Sequence, residues 1–197
     1  SCCSSITPTH ECPLDLVRIM FQPEGMATDA TQSTDSANDA SLEAAKVSAS
    51  DVARGVMRLF ARNDIWCLSE MPLRNSRRAD LMGVDAKGQI IIVEIKVARS
   101  DLLGDGKWPD YLDFCDRFYW ALAPGLDRSP LDSADYQPEC CGVIVADGYD
   151  AEIVRPAPLH PLAAPRRKKE IERLARTALR RHTGLIDPRC AELFPDR

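Results

Sequence analysis

The stretch RRADLMGVDAKGQIIIVEIKV, residues 77–97, decides the fold of this 197-residue chain. Two apolar runs, Ala79–Val84 and Ile90–Val97, flank the polar turn Asp85-Ala86-Lys87-Gly88-Gln89. Gly88 supplies the positive φ such a turn needs, so the two runs are expected to form a β-hairpin. Side chains alternate between the faces of a strand. Ile91, Val93, Ile95 and Val97 therefore make one wholly apolar face. Ile90, Ile92, Glu94 and Lys96 make the other, which begins apolar and ends charged. That is the pattern of a strand leaving a core for a cleft.

Opposing Val84 to Ile90 places Met82 across from Ile92 and Asp80 across from Glu94. Directly opposed residues stand ~4.5–5.5 Å apart at Cβ, where like charges destabilise. A half-buried Asp–Glu pair then needs a proton, a basic neighbour or a divalent cation. Lys96 lies two residues along the same face. Two carboxylates and an ammonium at a strand end make a hard-oxygen site suited to Mg²⁺, with Mn²⁺ as its substitute. The lysine can orient or deprotonate a water, or neutralise a developing oxyanion. The bland alternative is a structural salt bridge on a solvated face, and a one-residue slip would carry Asp80 to the other side.

Upstream, Ser50 or Asp51 can cap a helix whose apolar face is Val52, Val56, Leu59 and Phe60. Ile65–Leu73 reads as an edge strand because it contains Pro72. Downstream, Pro109 opens an expected helix carrying Leu112, Cys115, Tyr119 and Leu122, with Asp116-Arg117 as an internal ion pair. Pro124–Glu139 is a long loop, and Gly142–Ala146 and Glu152–Val154 are strands joined at Asp147-Gly148. A last helix runs from Pro165 to Gly184, with Ile171, Leu174, Ala175, Ala178 and Leu179 on one face. The expected order is α-β-β-β-α-β-β-α, an α/β sandwich on a mixed sheet.

Residues 22–50 are rich in Ser, Thr, Ala, Asp and Asn and lack aromatics. They cannot bury enough apolar area to offset ordering. The expected organisation is a low-complexity disordered tail over 1–48, with a short helix at Leu14–Phe21, a domain over 49–184 and a C-terminal tail over 185–197. The chain starts at Ser1, so a longer N-terminus is expected.

Apolar residues make 45% of the chain and charged residues 28%, ordinary for a globular protein. The longest apolar runs fall far short of the ~20 residues of a membrane-spanning helix. Val17–Phe21 is too short, and carries Arg18, to be a signal-peptide core. Eight cysteines, two pairs of them adjacent, show no metal-ligand spacing. Buried free thiols in a reducing cytoplasm are the expectation.

The net charge of −5 conceals a basic end: residues 166–197 carry ten bases and five acids. Arg166, Arg167, Lys168 and Lys169 crowd the first turn of the last helix, where the dipole prefers acids by ~0.3–1 kcal/mol each. Bases beside free helical N–H groups suit an anion such as a nucleic-acid backbone. Arg77 and Arg78, just before the Asp80 strand, can fork onto phosphates, and Lys107 can line the same cleft. Trp108 is a candidate for stacking on bases.

RRAD at 77–80, IIIVEIK at 90–96, SDLLGDGKWPDYLDFCDRFYWAL at 100–122 and GVIVAD at 142–147 resemble the MmcB-like family, which is associated with bacterial DNA repair and belongs to the PD-(D/E)XK nuclease-like superfamily. The resemblance spans about residues 50–183. Its DGKWPDY and CDRFYW segments are far more specific than Asp…Glu-x-Lys. It implies a restriction-endonuclease-like mixed β-sheet core flanked by helices. It also implies Asp80, Glu94 and Lys96 as catalytic residues, and Asp80, Glu94 and the Ile95 carbonyl as metal ligands. Many superfamily members carry a further Glu on the first helix. Here that helix offers only Asp51, at its cap, and Glu70 is the candidate substitute. The functional expectation is Mg²⁺-dependent phosphodiester hydrolysis of DNA in repair. The alternative is a non-catalytic adaptor that keeps the fold and binds DNA or other repair proteins.

Overall fold

The computed structural model describes residues 47–193. The tail expected over 1–48 lies outside the described residues except for Val47 and Ser48.

Helix α1, Ala49–Arg62, starts two to three residues earlier than the expected cap at Ser50 or Asp51 implies. Ser48 is the cap: its hydroxyl accepts the Asp51 N–H, and the Asp51 carboxylate accepts the Ser48 N–H. The reciprocal pair satisfies two otherwise orphaned donors. Val52, Val56, Leu59 and Phe60 are buried, as their period requires. Gly55, a cost of ~1 kcal/mol in an isolated helix, is needed by tertiary contact. A Cβ there would stand 2.3 Å from the carbonyl oxygen of Asp147.

Six strands follow: β1 Trp66–Pro72, β2 Arg78–Val84, β3 Ile90–Lys96, β4 Arg117–Leu122, β5 Cys141–Ala146 and β6 Ala151–Arg155. They form one mixed sheet in sequential order. β1, β2 and β3 are antiparallel, β4 runs parallel to β3 and to β5, and β6 returns antiparallel at the far edge. Pro72 sits on an edge strand, where a missing donor is tolerated. Gly88 has φ 75°, as the hairpin turn demands. The β2–β3 register pairs Val84 with Ile90 and Met82 with Ile92, as predicted.

The segment expected as one helix from Pro109 is instead two elements. Trp108–Phe114 is a 3₁₀ helix, and Arg117–Leu122 is β4. Every residue of β4 is buried. A central parallel strand covered on both faces reads as an unbroken apolar run, which periodicity alone cannot tell from a buried helix. The Asp116-Arg117 pair expected inside that helix is not formed. Asp116 bonds Arg167 instead, and Arg117 donates to the Ala157 carbonyl.

The two faces of the sheet carry different layers. α1 packs on the face of Leu81, Ile91, Val93 and Ile95. The 3₁₀ helix and α3, Ala164–Ile186, cover the face of Met82, Ile90, Ile92, Phe118 and Trp120. A short helix α2, Arg99–Leu103, lies between β3 and the 3₁₀ helix. Within 124–139 two 3₁₀ turns bury Leu131 and Tyr136. α3 is buried through Glu170, Leu174 and Thr177, while Leu179 is exposed, so the contact face lies to one side of the expected one. Gly184 does not end α3, and a short helix α4, Pro188–Leu193, follows. Cys67, Cys115, Cys140, Cys141 and Cys190 are free thiols.

Candidate functional site

The hairpin ladder stops at Leu81↔Val93. Even-numbered residues of β3 turn their backbone groups towards β4: Asp116 N–H bonds the Ile90 carbonyl, and Ala123 N–H bonds that of Lys96. Odd-numbered residues therefore turn towards β2. Past Val93, the N–H of Ile95 has no strand partner there and donates to Asp80 Oδ2 at 2.7 Å. A carboxylate thus closes the gap where β2 leaves β3. The alternation assumed for β2 breaks at the same place. Ala79 joins the Met82–Ile92 cluster although Leu81 belongs to the opposite one. By strand geometry the Ile95 carbonyl lies on the same side as its N–H.

Glu94 is 7% exposed and Lys96 5%. Lys96 Nζ stands 3.2 Å from Glu94 Oε1, 2.8 Å from Asp105 Oδ2 and 3.7 Å from Asp101 Oδ1. The short helix α2 and the Gly104-Asp105-Gly106 link thus lay two acids against the lysine. Leu102, fully buried and bonded through its carbonyl to the Tyr136 hydroxyl at 2.8 Å, anchors that segment. Tyr111 of the 3₁₀ helix donates to the Arg78 carbonyl at 3.2 Å.

The charges do not balance. Burial, then the charge of Asp80, pushes the Glu94 carboxyl up to about 7 despite Lys96. Burial likewise raises Asp80. Burial alone would lower Lys96, but the hydrogen bond it donates to Asp105 and the charges of Glu94, Asp105 and Asp101 hold its ammonium above the ordinary value. Tyr111 is raised by burial, by the charges of Glu94, Asp105 and Asp80 and by the approach of its hydroxyl to the Glu94 carboxylate, although the hydrogen bond of that hydroxyl goes to the Arg78 carbonyl. Glu94 Oε2 is buried and has no hydrogen-bond partner. A buried carboxylate oxygen in this position calls for a proton, a donor or a cation.

Asp80, Glu94 and the Ile95 carbonyl are the donor set at hand, and it fits one hard divalent ion completed by water. Among the described residues no group of three or more His, Cys, Asp or Glu side chains is arranged to hold a metal. Glu70 does not complete such a set. It sits at φ 51° on β1, and its carboxylate is 2.6 Å from Arg78 Nε. Asp51 is committed to its cap and to Arg54.

The expected phosphate-binding residues divide. Arg77 donates twice to Asp110, at 3.0 and 2.8 Å, and Arg78 pairs with Glu70. Lys107 is exposed and has no ion pair among the described residues. Arg167 turns inward onto Asp116, and Lys168 faces Glu172 at 3.9 Å. Arg166 lies over the Phe114 ring at 4.8 Å and 3.8 Å from Asp113. Lys169 is exposed. The backbone of α3 does not offer the free N–H groups expected of it. Pro165 has none, and those of Arg166 and Arg167 both bond the Ala163 carbonyl. Trp108 is 2% exposed and packs on Phe118 and Trp120, so it is core and not a platform for bases. Asp147 accepts the N–H groups of Tyr149 and Asp150, which is a turn role.

Tyr111 is a site residue that the sequence pattern does not single out, although its place in the DGKWPDY segment is the available signal. Arg74 and Asn75, which line an open pocket with Arg166 and Lys169, carried no signal at all.

A family model described as DNA repair protein MmcB-like matches residues 36–189. Among solved structures, a protein of unknown function from Silicibacter pomeroyi is similar at 40% identity and a TM-score of 0.64, over 72% of this chain and 92% of that one. No curated protein matches.

Proposed function

The chain belongs to the MmcB-like family of DNA repair proteins, and from that premise we propose that it is a metal-dependent phosphodiesterase acting on DNA, with a core of PD-(D/E)XK nuclease type. The observation that carries this reading is the unpartnered buried oxygen of Glu94 beside Asp80. Structural acids in a core are satisfied, and this one is not. Asp80, Glu94 and the Ile95 carbonyl would hold Mg²⁺ or Mn²⁺. When bound, such an ion polarises a phosphate and lowers the pKa of a water.

The chain's own residues prepare that chemistry. Asp80 is fixed by the Ile95 N–H, so its second oxygen is held at the hairpin end. Lys96 stays protonated under its three acidic neighbours and supplies fixed positive charge where an oxyanion would develop. Asp105 orients that ammonium at 2.8 Å. Burial of Glu94 and Lys96 keeps the local dielectric low, which strengthens each of these interactions.

The adaptor reading rests on one observation of its own: α2 and Asp105 cover Lys96, leaving it 5% exposed. An assay of Mg²⁺- and Mn²⁺-dependent cleavage over duplex, single-stranded, flap and mismatched DNA separates the two, with Lys96→Met and Glu94→Gln as controls of verified melting temperature. Metal-dependent cutting lost in both variants is expected. Binding without cutting on every substrate would select the adaptor.

A further inference from the structure

Across the 3₁₀ helix from the acidic site lies an open pocket of about 670 Å³. Arg74 and Asn75 reach it from the β1–β2 turn, Asp110, Asp113 and Phe114 from the 3₁₀ helix, and Arg166, Lys169 and Glu170 from α3. Its size is in the range of small-molecule and nucleotide sites. Tyr111 faces the acidic site from the same 3₁₀ helix whose Asp110 and Asp113 border the pocket.

Two of the three acids in its wall are engaged by residues outside it. Asp110 takes two bonds from Arg77, and Glu170 takes one from Arg173 at 2.7 Å. Asp113 stands 3.8 Å from Arg166. Arg74 and Lys169 are exposed and have no ion-pair or hydrogen-bond partner among the described residues. Two uncompensated cations thus reach one concavity from two different elements. Arg166 sits over the Phe114 ring at 4.8 Å, and both residues line the pocket. The helix terminus adds little, because its amides are used within the turn.

We propose that this pocket is a phosphate-binding site for the DNA backbone, formed by Arg74, Lys169 and Arg166. It deepens the DNA-binding part of the function proposed above and rests on that part, but not on cleavage. It also revises the basic run of α3: Arg166 and Lys169 contact the phosphate, while Arg167 and Lys168 do not. Arg74 enters as a contact residue.

The test measures affinity of the full chain for a short fluorescent DNA duplex against salt. Three proteins are compared: wild type, Arg74→Glu with Lys169→Glu, and Lys168→Glu. All the substituted side chains are exposed, so folding is preserved. Each neutralised phosphate contributes a log–log slope of ~0.9 on B-DNA. The double variant should bind about tenfold more weakly at low salt, with a slope smaller by about 1.8. Lys168→Glu, with half that charge change and one residue from Lys169, should move affinity less than about twofold. Equal losses in Lys168→Glu and the double variant, or no loss in the double variant, would overturn the pocket. No DNA binding by the wild type would instead remove the DNA reading on which the pocket rests.

Discussion

A buried carboxylate stands at each end of strand β3, Asp116 from the start of β4 and Glu94 from β3 itself, and the two are built in opposite ways. At the start of β3, the Ile90 N–H donates to Asp116 Oδ2 at 2.8 Å. The Leu162 N–H bonds the other oxygen at 2.8 Å, and Arg167 forks onto both. Burial alone would raise Asp116, but these donors outweigh it and hold the carboxyl below the ordinary range. At the strand's other end Glu94 has one bond to Lys96, an acidic neighbour in Asp80 and an oxygen with no partner. The first acid ties α3 and the 155–163 segment to the sheet. The second has been left short of positive charge. A protein that can satisfy one buried acid completely has the means to satisfy another, so the deficit at Glu94 is read as a place for a ligand.

The largest expected effect breaks the satisfied end. Asp116→Ala leaves the Arg167 guanidinium and two amides unpaired, and loss of one partner in a buried pair costs about 3–5 kcal/mol. Urea unfolding should show that loss. Glu94→Gln should cost far less and at pH 8 should stabilise the metal-free protein. Similar losses at both ends would erase the contrast.

The second effect is the opposite pH dependence of the two acids. The folded-state value of Glu94 is raised, so the folded protein holds its proton more tightly than the unfolded chain does. Its contribution is fully present below the unfolded value near 4.5 and is lost as pH rises through about 7. The span corresponds to at most about 3 kcal/mol. Asp116 is depressed, so its contribution is present above the unfolded value near 3.8 and is lost as pH falls further. Metal-free wild type should lose stability between pH 4.5 and 7 relative to Glu94→Gln. Parallel curves for the two proteins would contradict the charge deficit.

A smaller effect concerns Asp105. Asp105→Asn keeps an acceptor near Lys96 but removes a charge, and should cost about 1–2 kcal/mol in urea unfolding. A change below about 0.5 kcal/mol would mean the contact is incidental. The smallest effect is at Leu179, exposed on α3: Leu179→Ala should stay within about 0.5 kcal/mol. A larger loss would place that face in a contact of its own.

The hairpin and its register were legible because one strand is fully apolar on one face and a glycine marks the turn. α1 was legible by its period. β4 was not, since Arg117–Leu122 is buried on both faces and its sequence holds no alternation. The site was half legible. The approach of Asp80, Glu94 and Lys96 follows from register, but the ladder's end at Val93 and the turn of Asp80 into the gap depend on the divergence of β2. Asp105 and Tyr111 join the acids only through the path of the 99–114 segment. The basic run divides because a helix fans consecutive residues over its surface: Arg167 points to Asp116 while Lys168 points to Glu172.

The central claim is that the Glu94 end of β3 takes up a cation, and calorimetric titration of Mn²⁺ into the full chain at pH 8 tests it most directly. Wild type should bind one ion with a heat that Glu94→Gln and Asp80→Asn each abolish, while Glu70→Gln leaves it in place. Absence of binding, or equal binding by wild type and Glu94→Gln, would contradict the account.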